Sequence, residues 1–238
     1  MSLIGRVDYL ASAGASPWHR ASALSKLVLA VALVSLTVGA RSIPLLVTLH
    51  AIAWLLVLTS RVPLRVAALV ASYPLVVASL FVVATWGGPW TASLRLLVRP
   101  VTASLAVLWL IATTPYPDLF APLSRILPGS VADSLFITYR ALFDLLGRLE
   151  RLWQSLRIRG GAGGPPVRRL AVAGEGLATL VVYSFERSQR IYSTMLLRGH
   201  SGRICGCRHY AEFGPADLLV LAVAAGVAVA AVMLWRPV

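Results

Sequence analysis

The sequence predicts an all-α integral membrane protein. It is expected to hold about five transmembrane helices plus a cytosolic region with two long crossing helices and one short helix. Three observations predict this. The 238 residues are 58% hydrophobic, and the mean hydropathy of +0.79 lies far above that of a soluble domain. The apolar residues gather into five runs near the length of a bilayer crossing. Between the fourth and fifth runs lies one large polar region whose apolar residues recur at helical spacing.

The first run covers 27–40 and needs 23–26 to reach full thickness. A tight Arg41-Ser42 turn leads to the second, 43–60. The third, 66–86, runs into Gly87-Gly88-Pro89. The fourth, 92–114, carries Arg95 and Arg99 near its start, one helical turn apart. There they are expected to snorkel to the interface or pair with headgroups. The fifth, 216–235, is entered through Gly214-Pro215. Several runs are at the short end for a crossing helix, so the first two admit tilt or partial re-entry.

Orientation follows from the basic residues, because Lys and Arg accumulate on the cytosolic side. With the N-terminus inside, 18 of the 22 Lys and Arg fall in 1–27, 61–65 and 115–215. Only Arg41, Arg95, Arg99 and Arg236 fall outside. The expected protein is therefore a multi-pass cell-membrane protein with a cytosolic N-terminus and an external C-terminus. Its domains are a membrane part at 1–114, a cytosolic part at 115–214 and a final span at 215–238. No cleavable signal pattern precedes the first run, which is expected to serve as its own insertion signal.

The cytosolic part has internal order. Residues 117–127 read as a short amphipathic helix closed by Pro128-Gly129. Ser130 then reads as the cap of a long helix, 130–159, with Val131, Leu135, Leu142, Leu145, Leu149, Trp153 and Leu156 on one face. The segment 160–166 reads as a loop of glycines and prolines. A second long helix, 170–198, places Leu177, Val181, Ser184, Ile191 and Met195 on one face. Its Gly174, Gly176, Ala178 and Ser184 would admit a neighbouring helix closely.

Several chemistries find no support. Asp217 is the only acid in any span, and carriers driven by protons or sodium place carboxylates inside the bilayer. The glycines at 160–164 lack the Gly-Lys-Ser/Thr ending of a phosphate loop and precede prolines. No hydrolase elbow, zinc-protease helix or paired carboxylates occur, so neither a catalytic residue nor a bound cofactor is expected. The basic excess reflects topology, not nucleic acid. His50, alone in the second span, reads as a satisfied histidine. His200, Cys205, Cys207 and His209 have a spacing unlike standard zinc modules, and no metal site is assigned to them.

What stands out is a repeat. The first long helix stops at Ile158-Arg159-Gly160 and the second at Leu197-Arg198-Gly199. A helix C-terminus favours a cation, and a following Gly ends it, so each alone is unexceptional. Two in one polar region read as fixed cationic pegs for a partner. The remaining arginines, including Arg157, Arg168, Arg169, Arg187, Arg190 and Arg203, can face anionic headgroups.

These residues resemble the transmembrane T component of energy-coupling factor (ECF) transporters, which includes the cobalt-type CbiQ proteins. The similar stretch holds Thr113-Thr114-Pro115, Tyr139-Arg140, Glu150 and Ile158-Arg159-Gly160. It continues through Arg187-Ser188, Arg190-Ile191-Tyr192 and Met195-Leu196-Leu197-Arg198-Gly199. Ser25-Lys26-Leu27 is similar to the family's basic start of the first span. Where the family's motif is usually Ala-Arg-Gly, Ile158 and Leu197 replace the alanine. The resemblance implies a non-catalytic scaffold in the lipid bilayer that joins two cytosolic ABC ATPase subunits to a small substrate-binding membrane S component. The Arg159-Gly160 and Arg198-Gly199 ends would meet the ATPases. The cargo implied is a vitamin or a transition metal ion such as cobalt or nickel. The alternative is a membrane structural or assembly subunit whose basic helices contact lipid or protein.

Overall fold

A computed structural model describes residues 11, 12, 14, 16–85, 89–124, 127–161, 163–200 and 214–234. These residues form eight α-helices and no strand. After a 3₁₀ turn at Pro17–Arg20 come α1 (Ala23–Gly39), α2 (Ile43–Thr59), α3 (Leu64–Ala84) and α4 (Trp90–Thr113). Then follow α5 (Tyr116–Leu123), α6 (Gly129–Ile158), α7 (Pro166–Leu197) and α8 (Pro215–Leu234). The chain divides into two compact units: Met1–Pro122 with Arg208–Val238, and Leu123–Cys207.

The first unit is the apolar one. Helices α3, α4 and α8 are long and apolar enough to cross a membrane, while α1 and α2 are apolar but only 17 residues each. Seventeen residues make about 26 Å of helix, a little less than the roughly 30 Å hydrocarbon core. The core is built from Leu29 and Leu33 of α1, Leu45, Leu49 and Leu56 of α2, Leu105 and Trp109 of α4, and Val220 and Val227 of α8. Trp18 of the 3₁₀ turn packs edge-on against Trp109, with ring centroids 5.6 Å apart, and donates its indole N–H to Thr59 Oγ1 at 3.1 Å. By contrast α3 buries little beyond Ala67 and Ala78 and turns Tyr73, Leu80 and Phe81 outward. An outward apolar face is what lipid requires.

The polar side chains around His50 are satisfied locally. Trp54 Nε1–H donates to His50 Nε2 at 3.0 Å. An indole N–H only donates, so His50 carries its proton on Nδ1 and gives it to Thr102 Oγ1 at 2.8 Å. Thr102 in turn donates to the Val98 carbonyl at 2.8 Å. His50 is thus a satisfied core histidine. Arg95 and Arg99 are half-buried. Arg99 donates to the Ala40 carbonyl just past the end of α1, which removes it from a purely interfacial role.

Hydrogen bonds at the helix ends define how the bundle alternates. Ser22, Ser25 and Lys26 at the start of α1 meet Thr113 at the end of α4 and Asp217 at the start of α8. At the opposite end of α1, Ser42 donates to the Leu234 carbonyl at 2.7 Å, at the close of α8. So α1 and α8 run in the same direction and α4 runs against them.

The second unit is a helical hairpin. Helix α6 begins at Gly129, with Pro128 as its capping residue and no side-chain cap. Ser130, expected as the cap, already lies inside the helix, where its carbonyl accepts from Ser134 Oγ. The reason is that Pro128 has a fixed φ and no donor to satisfy. Helix α7 starts at Pro166 and so takes in residues expected to be loop, since a proline is pre-organised for the first helical position. The short α5 ends at Leu123, earlier than the expected 127.

Candidate functional site

The hairpin places each Arg-Gly end by the same backbone device. At the end of α6, Gly160 N–H donates to Arg157 O at 3.1 Å and Gly161 N–H to Leu156 O at 2.8 Å. At the end of α7, Gly199 N–H donates to Leu196 O and His200 N–H to Met195 O, both at 3.0 Å. Each is a Schellman closure, in which two N–H groups beyond the helix satisfy two orphan carbonyls of its last turn. The closure needs a left-handed residue, and Gly160 at φ 76° and Gly199 at φ 72° supply it. A Cβ at either would meet nothing within 4 Å, so conformation and not crowding selects glycine there.

Both ends present the same surface. Arg159 and Arg198 are exposed, and their side chains make no hydrogen bond or ion pair among the described residues. Immediately before them, Ile158 is 86% exposed and Leu197 87% exposed. Each end thus offers a large apolar side chain beside an exposed guanidinium. A complementary socket would need an apolar wall and a carboxylate.

The two ends are far apart. Near the start of α7, Gly176 lies against Leu152 and Leu156 near the end of α6, and Val172 lies against Gly161 just past that end. Asp144, midway along α6, meets Tyr183 and Arg187, midway along α7. The helices therefore run antiparallel, and the 32 residues of α7 set about 48 Å of helix between the pegs.

The packing faces agree only in part with those the spacing predicted. In α7, Ser184, Ile191 and Met195 of the expected face are partly buried, and Val172, Ala173, Gly176, Leu180, Tyr183 and Arg187 join them. Leu177 and Val181, expected on the packed face, are 58% and 61% exposed. Of the four small residues, Gly176 makes the close approach, with a hypothetical Cβ 3.2 Å from Leu152 Cδ2 and Leu156 Cδ1. Gly174 faces open space, and Ala178 is exposed. In α6, Leu135, Leu145 and Leu156 are partly buried, while Val131, Leu142, Leu149 and Trp153 are exposed. Both helices carry more apolar stripe than the hairpin covers, and the spacing marks the stripe without saying which side is covered.

Sequence reasoning missed the polar node that fastens the hairpin. Asp144 pairs with Arg187 at 3.2 Å, accepts from Tyr183 OH at 3.2 Å, and lies 3.7 Å from Arg148 in the turn below. Arg148 stacks on the Tyr183 ring, 3.5 Å from its centroid. Arg187, grouped with arginines that could face lipid, is spent inside the hairpin. Arg190 pairs with Glu186 on its own helix at 3.7 Å. A groove of about 280 Å³ runs beside the node, between Ile137 and Leu145 of α6 and Ile191 and Met195 of α7. Of the four His and Cys side chains weighed for metal, Cys205, Cys207 and His209 lie outside the described residues.

Residues 14–206 match the family model for the CbiQ cobalt transport protein. The chain belongs to the CbiQ cobalt transport family. The match takes in α1–α7 and both Arg-Gly ends, and stops short of α8. No curated protein matches the chain. This CbiQ-family protein is thus a component of a membrane transport system, and its apolar helices are those of a multi-pass membrane protein.

Proposed function

We propose that this CbiQ-family protein is the energy-coupling scaffold of an ECF-type ABC importer. It joins two cytosolic ABC ATPases to a small substrate-binding membrane subunit and takes up a transition metal ion, cobalt or nickel, or a vitamin. The observation that carries the reading is the matched pair of Schellman-closed Arg ends, Arg159-Gly160 and Arg198-Gly199, at opposite ends of one hairpin. One hairpin with two similar ends, set apart by the roughly 48 Å length of α7, suits two separate sockets on two similar partners. The pegs hold cations, so the sockets are acidic grooves. The scaffold itself is non-catalytic, and ATP hydrolysis belongs to the partners. Residues 115–214 form the coupling domain on the cytosolic side, with the N-terminus inside and the C-terminus outside. The shared end of Ser22, Thr113 and Gly214 and the opposite end of Ala40, Ser42 and Leu234 are consistent with that path.

The test is co-purification with the ATPases and ATP-dependent uptake by cells carrying Arg159→Ala, Arg198→Ala or both. Truncating one arginine of a desolvated charge pair typically costs about 2–5 kcal/mol. Each single change is expected to weaken ATPase capture and abolish uptake, and the double change to weaken capture further, with membrane insertion intact. A double variant that still captures ATPases and transports normally would overturn the reading. So would nucleotide binding by the isolated chain.

A further inference from the structure

The turn of the hairpin holds a pocket of about 300 Å³ beside the Arg159-Gly160 closure. Its floor is Leu156, Gly161, Val172 and Ala173, all partly buried, and its rim is Trp153, Arg157 and Arg169, all exposed. Helical spacing brings these residues together: 153, 156 and 157 share one face of α6, as 169, 172 and 173 share one face of α7. Gly161 keeps the back of the pocket open. A Cβ there would stand 2.8 Å from Val172 Cγ1 and 3.1 Å from the Leu156 carbonyl oxygen. That same carbonyl accepts from Gly161 N–H in the closure, so the pocket and the Arg159 end are built on one turn of backbone.

The surroundings are strongly cationic. Five arginines and no acid occur between 151 and 174. Arg157 and Arg159 make no hydrogen bond or ion pair among the described residues. Arg169 Nε donates to the Gly164 carbonyl at 3.1 Å, which holds its guanidinium at the rim. At the other end of the hairpin the neighbours of Arg198 are already engaged, Arg187 with Asp144 and Arg190 with Glu186. The two Arg-Gly ends, alike in their closure, therefore differ in what lies beside them. An apolar floor beneath two guanidinium groups and an indole fits one apolar side chain with carboxylates next to it. Trp and Arg are also the side chains that most often dominate protein contacts. A plane of anionic headgroups would match the charge and leave the concavity unfilled.

We infer that this pocket is a second contact for the ATPase that meets Arg159, and that it seats one apolar side chain from an acidic segment of that partner. The inference rests on the coupling role proposed above. It adds that the two docking ends are unequal. The Arg159 end grips its partner at the peg and at the pocket, and so holds more firmly than the Arg198 end.

The experiment uses the full-length protein in nanodiscs of zwitterionic phosphatidylcholine and titrates it with the ABC ATPases that co-purify with it. Arg157→Gln combined with Arg169→Gln is expected to weaken capture about fivefold and to make it less sensitive to salt. Ala173→Trp, which fills the pocket without changing a charge, is expected to weaken capture about tenfold. Trp153 is 57% exposed, so Trp153→Ala opens the rim without disturbing the floor, and it is expected to weaken capture as well. Arg190→Gln removes an equal charge away from the pocket and is expected to leave capture within about twofold of wild type. Wild-type capture by the double Gln variant and by Trp153→Ala, while Arg159→Ala loses it, overturns the pocket and leaves the coupling role standing. An equal loss in Arg190→Gln also overturns it, since charge alone would then be at work. So does a loss in the double Gln variant that appears only when anionic phosphatidylglycerol is added to the nanodiscs, which assigns the arginines to lipid. If the wild-type chain captures no ATPase at all, the coupling role itself fails, and the pocket's partner with it.

Discussion

Asp144 on α6 and Arg187 on α7 meet at 3.2 Å across the hairpin, and Tyr183 donates to the same carboxylate oxygen. Their side chains are 31% and 42% exposed, so water screens the pair. The coupling between them in a double-mutant cycle is expected to be about 0.5–1 kcal/mol, the upper part of the range for exposed pairs. Asp144→Ala, Arg187→Ala and the double variant, followed by thermal unfolding of the purified protein, measure it. Perfect additivity would show that the ion pair does not hold the hairpin.

The glycines that close the two long helices should respond to shape in the opposite way from ordinary loop glycines. A left-handed conformation costs an L-residue about 1–2 kcal/mol, and less for Asn. Gly160→Val and Gly199→Val are thus expected to misplace the adjacent arginine and weaken ATPase capture, while Gly160→Asn and Gly199→Asn retain most of it. Pull-down of the ATPases ranks the four variants. Equal loss for Asn and Val would point to crowding, which the open space around both positions argues against.

Two glycines of α7 that look alike in the sequence should behave differently. Gly174 faces open space, so Gly174→Ala is expected to stabilise the helix by up to about 1 kcal/mol through propensity alone. Gly176 lies against Leu152 and Leu156, so Gly176→Leu is expected to cost about 1–3 kcal/mol by overpacking. Melting temperatures of the two variants, read side by side, decide the matter. A destabilised Gly174→Ala would place a neighbour where the fold leaves room.

Orientation can be read by labelling. In a background with Cys205 and Cys207 replaced by Ser, a change expected to leave uptake nearly intact, Gly161→Cys should react with an impermeant maleimide only from the cytosolic side. Ser42→Cys, at the opposite end of the membrane unit, should react from outside. Labelling of Gly161→Cys from outside in intact cells would reverse the topology.

Much of this protein was legible in the sequence because the bilayer is a severe solvent. Long apolar runs have to be helices, since no water remains to satisfy an open backbone. The apolar runs, the two long polar helices and the Arg-Gly repeat follow from composition, spacing and local chain geometry. The left-handed glycines at 160 and 199 are equally local: a closure spans a handful of residues, and its sequence carries it.

Tertiary structure decided what depends on partners far apart in the chain. Periodicity showed that α6 and α7 have apolar stripes, yet only packing selected Val172, Gly176 and Tyr183 over Leu177 and Val181, because a stripe wider than its partner leaves one side uncovered. Asp144 and Arg187 are 43 residues apart in the sequence, and nothing local joins an acid to one arginine among many. Lys26 looked like a cytosolic charge at a span's edge. Its burial and its bond to Thr113, with Asp217 capping α1 from the other end of the chain, exist only because three helix ends converge, and a buried charge takes its partner from whatever the fold brings near.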